Sequence, residues 1–148
     1  MPIKRKIDLF IFDVNETMFS LSEIKKRFIN VNLSSSLVDI WFTSTLKEGF
    51  AFSHQGKFID FFTIARNELE KILLIKKKKK NSKDINFILD GFKKLKIHED
   101  VKESLKILNN NNFKIVTLTN GSKEITELML KHNKCKKFID RCFSIEEK

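Results

Sequence analysis

Two short segments carry residues whose types and spacing could do chemistry. In the first, Asp13 follows the apolar run IDLFIF and precedes Asn15 and Thr17. A carboxylate at the end of a strand is held by stiff backbone and faces the strand-end crevice. It could attack an electrophilic carbon or phosphorus and form a covalent ester. Thr17 and the loop amides would fix it or hold a substrate oxyanion. In the second, Thr119, Asn120, Gly121 and Ser122 end the run FKIVTLT. Thr119 and Asn120 could donate hydrogen bonds to a substrate attacked from the first loop. A structural reading fits the same residues, with Asp13 as a loop cap and Asn120-Gly121 as turn chemistry.

The elements that must position these loops follow from periodicity. Residues 7–13 read as a fully buried strand, and residues 113–119 as a second, β-branched one. Residues 142–145 read as a short third strand. Between the first two lies a long helical stretch. A helix begins near residues 21–29. Ser34 to Ser36 would cap another over residues 37–48, with Leu37, Ile40, Trp41 and Leu46 on or near one face and Gly49 as its stop. Residues 58–78 form a third helix, residues 76–83 a charged loop and residues 84–95 a short helix. Helices are expected again over residues 100–108 and 124–132. Strand, helical insert, helix, strand, helix, strand is the order of a parallel α/β sheet. Ligands bind such sheets at the carboxyl ends of the strands. Both candidate loops lie there.

Composition narrows the function classes. With 148 residues the chain can bury a core, and 41% apolar content excludes a wholly disordered protein. No apolar run is long enough for a membrane span, and the N-terminus lacks a signal-peptide cleavage pattern. Cys135 and Cys142 are two cysteines without a second pair, so reduced, packed thiols in a cytoplasmic protein are expected. The net charge of +10 invites a nucleic-acid reading. Part of that charge is one lysine run, residues 76–80, and no aromatic-interleaved basic motif accompanies it. Nucleic-acid and membrane partners are therefore not expected.

The residues also resemble a known family. FIFDVNETMF, residues 10–19, resembles the first motif of the haloacid dehalogenase (HAD) superfamily, in particular the type II (S)-2-haloacid dehalogenase branch. Residues 41–69, WFTSTLKEGFAFSHQGKFIDFFTIARNEL, resemble that branch's helical cap. KIVTLTNGS, residues 114–122, resembles the second motif. FIDRCFSIEE, residues 138–147, resembles the stretch leading to the third. The resemblance covers nearly the whole chain, in family order.

The resemblance implies a HAD-like Rossmannoid α/β fold. An incomplete core would comprise residues 1–19 and 97–148, with a helical cap inserted over residues 20–96. It implies a hydrolase in which Asp13 is the nucleophile and water hydrolyses the aspartyl ester. Asn15 and Thr17 would complete the catalytic loop. Thr119 and Asn120 would bind a small organic acid, with Trp41 and Phe42 where the cap closes on it. Metal-dependent phosphatase relatives carry a second Asp where this chain has Asn15. Asn cannot transfer a proton in that role, so dehalogenase-like chemistry is favoured and Mg²⁺ disfavoured, leaving no expected cofactor or metal ligand.

Two departures from the pattern bear on activity. Ser44 stands where the branch carries an anion-binding Arg. The Lys of the third motif and the acids of the fourth would fall beyond Lys148, and Lys148 lacks the flanking residues that would fix it. The core would then lack its last strands, leaving the first strand as an open edge. This predicts a homodimer through that edge, an unstable chain, or a fragment of a longer product. The rival to a hydrolase is a non-catalytic remnant or interaction module. Of the histidines, His98 is expected to cap a helix, His132 to balance a helix end, and His54 to lie in a cap loop.

Overall fold

The computed structural model describes residues 7–78 and 81–147. Three parallel strands form its sheet: β1 (Leu9–Phe12), β4 (Lys114–Thr119) and β5 (Arg141–Ser144), in the order β1-β4-β5. Leu9 pairs with Lys114 through to Phe12 with Thr117, and Val116 pairs with Arg141 through to Thr119 with Ser144. Helix α5 (Val101–Asn110) crosses from β1 towards β4, and α6 (Lys123–His132) crosses from β4 to β5. Successive right-handed crossovers in one direction put both helices on one face. That face is dry: Ile115, Thr117 and Cys142 are buried, as are Leu105 of α5 and Met129 and Leu130 of α6. Asp140 locks the entry to β5. Its carboxylate accepts the Ile115 N–H at 2.8 Å, and this bond, with Lys114, holds the carboxyl below the usual range.

The opposite face corrects one expectation. The first strand is not fully buried, because Leu9 and Ile11 are 46% and 59% exposed. Alternation puts them on the face that α5 and α6 leave uncovered, beside Leu118. Among the described residues β1 pairs only with β4, so β1 is also an edge.

A two-residue ribbon carries the helical insert. β2 (Phe19–Ser20) pairs antiparallel with β3 (Lys96–Ile97). Between them run α1 (Ser22–Asn30), α2 (Leu37–His54), α3 (Phe61–Ile75), α4 (Ser82–Leu89) and a 3₁₀ turn (Asp90–Lys94). Asp60 starts α3 by accepting the Thr63 N–H at 2.9 Å, and Asn81 starts α4 through Lys83 N–H at 3.0 Å. Their helical face is aromatic. Phe92 meets Trp41, Phe61 and Phe62 at centroid separations of 6.0, 5.4 and 5.5 Å. Such pairs add about 0.5–1.5 kcal/mol each beyond their buried area. The core then continues without a break through Leu95, Phe19 and Met18 to the sheet.

Helix boundaries and one helix face differ from the sequence reading. Gly49 does not stop α2, which runs on to His54. Ile64 Cδ1 lies 3.6 Å from the position a Cβ would take at Gly49, so the missing side chain lets α2 and α3 approach. Ile40 is 60% exposed, and the buried face of α2 is Val38, Trp41, Phe42 and Thr45. The helix expected over residues 84–95 breaks at Asp90 into a 3₁₀ turn. The charged loop expected over residues 76–83 falls partly on residues 79–80, outside the described residues.

Gly91 in that 3₁₀ turn has no room for a side chain. A Cβ there would lie 2.7 Å from both Arg27 Cδ and Ile24 Cδ1. Arg27 is buried, paired with Glu23 at 3.0 Å and stacked on Phe87 at 4.6 Å, so it has little room to yield. Gly91→Ala should therefore destabilise the chain by about 1–3 kcal/mol, against the stabilising sign that helix propensity alone gives. A urea midpoint that is unchanged or raised would contradict this packing.

Cys135 and Cys142 are free and buried, and burial pushes the Cys135 thiol up. A thiol reagent should label neither in the native chain and both in denaturant. Rapid labelling of the native protein would show that the core opens.

Candidate active site

Asp13 is the first residue past β1, and the loop after it is tightly folded. Val14 is fully buried and anchors it. Its carbonyl accepts from Met18 N at 2.9 Å and Phe19 N at 3.1 Å, and Glu16 N donates to Phe19 O at 2.8 Å. Glu16 takes a left-handed φ of 62°, and its carboxylate accepts the Leu21 N–H at 2.6 Å. His98 N donates to Met18 O at 2.9 Å, pinning the returning chain to this loop. Side chains at 13 and 17 are thereby turned to solvent. Thr17 Oγ1 donates to Asp13 Oδ2 at 2.8 Å, which leaves Oδ1 unengaged among the described residues.

The second loop comes alongside because β4 is the neighbour of β1. Thr119 is buried, and its hydroxyl accepts the Gly121 N–H at 3.0 Å. Ser122 caps α6 and Asn120 stays exposed. The position of a Cβ at Gly121 lies 3.8 Å from Asn15 Nδ2 and 3.5 Å from Thr119 Oγ1, so the two loops touch. Asn15 Oδ1 is buried with no partner, beside a gap of about 10 Å³ that Thr119 and Gly121 also line. A gap of that order holds one water molecule.

The structure thus brings together Asp13 and Thr17, and Asn15 with Thr119 and Gly121. The two aromatic residues expected over the crevice lie elsewhere. Trp41 has no exposed surface; its Nε1–H donates to Ala65 O at 2.9 Å and its ring packs on Phe28 and Phe92. Phe42 is 9% exposed and faces Phe61. Both hold helices together rather than contact a ligand. One turn further along α2, Thr45 and Leu46 do line a cavity of about 450 Å³, shared with Phe61, Asn120 and Ile145. His98 contributes its carbonyl to the start of α5, while its Nε2 is buried without a partner. Lys148 lies outside the described residues.

Two residues of this region escaped the sequence reading. Ser144 Oγ donates to Gly121 O at 2.6 Å, tying the end of β5 to the second loop. Glu146 accepts the Phe61 N–H at the start of α3. Its carboxyl is pushed up chiefly by burial and further by Asp60 and Glu124. Neither has a local signature, since both meet partners more than 20 positions away.

No protein-family model matches the sequence, and no curated protein matches it. Solved structures do. A dehalogenase superposes with TM-score 0.86 at 20% identity, over 98% of this chain and 65% of that one. An L-2-haloacid dehalogenase gives 0.88 at 15% identity, over 96% and 65%. Another, from Xanthobacter autotrophicus with chloropropionic acid covalently bound, gives 0.84 at 16% identity, over 95% and 58%. The chain therefore has the HAD-like fold of the haloacid dehalogenases, and it spans about three-fifths of the length of these structures.

The raised Glu146 carboxyl makes a signed prediction. The folded state favours its protonated form, so its contribution is complete below the ordinary carboxyl value and is lost as pH rises through the folded value. Glu146→Gln should gain stability relative to the parent between pH 4 and pH 7. A constant difference across that range, read by thermal unfolding, would exclude the buried acid.

Proposed function

We propose that the chain is a HAD-type hydrolase using Asp13 as its nucleophile on a small organic acid. The observation that carries this reading is a carboxylate at the carboxyl end of β1, held through one oxygen by Thr17 with the other free. The fold adds support, because one protein with it holds chloropropionic acid covalently.

Asp13 Oδ1 attacks the halogen-bearing carbon of a 2-haloacid. A carbon–oxygen bond forms as the carbon–halogen bond breaks, and halide leaves with the electron pair. Water then adds to the Asp13 ester carbonyl, expels the 2-hydroxyacid and loses a proton to solvent. Thr17 keeps the carboxylate aimed. Asn15 and Thr119 shape the loops, and Asn120, the exposed amide, is placed to hydrogen-bond the acid.

Magnesium is not part of this reading, because Asn15 offers an amide rather than a second carboxylate beside Asp13. No step is routed through a metal.

A second reading is a non-catalytic binding module. Two observations favour it: among the described residues no cation pairs with Asp13, and β1 is an uncovered apolar edge. Clustered negative charge in ester formation would then be poorly compensated.

One experiment separates them. The chain should release halide from L-2-chloropropionate and form an ester on the Asp13 peptide, visible by mass spectrometry. Asp13→Asn should lower release on the order of a thousandfold or more. Undiminished release in that variant would end the nucleophile assignment. No release from the parent would leave the binding module.

A further inference from the structure

The cavity of about 450 Å³ between α2, the α2–α3 connection and the ends of β4 and β5 is larger than a three-carbon acid needs. Volumes of this order serve ligands of drug size. Its walls are apolar, and several stand open to water: Phe50, Phe58 and Ile145 are 62%, 54% and 52% exposed, with Ile64 beneath them. Exposed aromatic side chains converging on one hollow are surface that an apolar ligand would remove from water.

The polar side chains are few: the hydroxyls of Thr45 and Ser53, the Lys57 ammonium and the Asn120 amide. Lys57 lines the cavity, and among the described residues it has no ion-pair partner. Its backbone is fixed, with Lys57 N donating to Phe52 O at 3.0 Å after the positive-φ Gly56. Asn120 supplies an amide from the end of β4. The flanking acids are engaged elsewhere: Asp60 takes the Thr63 N–H and hydroxyl, and Glu146 takes the Phe61 N–H. One free cation and one amide above an apolar floor suit a carboxylate with an apolar tail.

We propose that this cavity binds carboxylic acids bearing an aryl or medium-length alkyl group, with Lys57 as the counter-ion and Phe50, Phe58 and Ile64 against the tail. The claim that such an acid is also the substrate rests on the Asp13 reading; binding itself does not. Lys57 takes the anion-holding part for which Ser44 has no charge.

Calorimetric titration of the whole chain with phenylacetate, hexanoate and acetate tests this. Phenylacetate and hexanoate should bind at least about tenfold more tightly than acetate. Lys57→Gln, at an exposed position that leaves the fold intact, should weaken both by about fivefold, with a matching loss of salt dependence. Ser53→Phe, which fills the hollow, should erase the preference for the longer acids; circular dichroism checks that it folds. Equal affinity for all three acids, or no effect of Lys57→Gln, would overturn the assignment. The two readings fail separately. Asp13-dependent halide release without tail preference sinks the pocket alone. Lys57-dependent hexanoate binding without halide release from 2-bromohexanoate sinks the nucleophile alone.

Discussion

The parallel pairing of β1 with β4 is the constraint from which the rest of the site follows. Leu9 sits beside Lys114 and Phe12 beside Thr117, so β4 runs only two residues past the end of β1. Residues 13 and 119 then emerge at one edge of the sheet, on neighbouring strands about 5 Å apart. A register slip of one residue would turn Phe10 and Phe12 to water and carry Asp13 away from Thr119. The buried row Ile115, Thr117, Thr119 prevents that slip, because α5 and α6 accept only that face of β4. The placement of the two candidate loops and the packing of the core thus follow from the same ladder.

The helical insert is positioned by a smaller device. Two paired residues on each side, Phe19 with Ile97 and Ser20 with Lys96, carry 75 residues out and back. So short a ribbon could not orient a block of four helices alone. The orientation comes from the continuous core, in which Met18, Phe19 and Leu21 join the ribbon to Phe92 and Leu95. Gly91 permits it, since Arg27 and Ile24 occupy the space its side chain would need. A second tie reaches the insert from the sheet, where Glu146 meets the first turn of α3.

Much of this was legible in the sequence because it is local. An apolar, β-branched run marked β4, and the acid after an apolar run marked Asp13. Gly121, the residue that lets the two loops touch, lay within a segment already singled out. What was not legible is long-range. Burial of Trp41 depends on Phe28 and Phe92, which are 13 and 51 positions away. A lone Trp near an expected cleft reads equally well as a lid or a core residue. Gly49 reads as a stop by composition, yet it serves a close helix contact visible only once α3 is placed. The openness of β1 has the same cause: continuous apolar residues state that a strand wants two covered faces, not which neighbours supply them.

That openness bears on the chemistry. α5 and α6 lie on one face, so Ile11 and Leu118 remain wet on the other, interrupted only by Lys114 and Arg141. Lys114 lies on the central strand β4 and Arg141 on β5, so neither covers the β1 edge. Asp13 shares this environment. It is exposed, held by Thr17 through one oxygen, and a carboxylate open to water is a sluggish nucleophile. If Asp13 is the nucleophile proposed, its reactivity would depend less on its own loop than on what excludes water above it. The apolar hollow under Phe50 and Phe58 reaches the ends of β4 and β5 through Asn120 and Ile145. An acid whose tail fills the hollow would dry the strand ends as it binds, while a three-carbon acid would leave them wet. On the proposed reading, then, the size of the substrate and the competence of Asp13 would be coupled through that cavity.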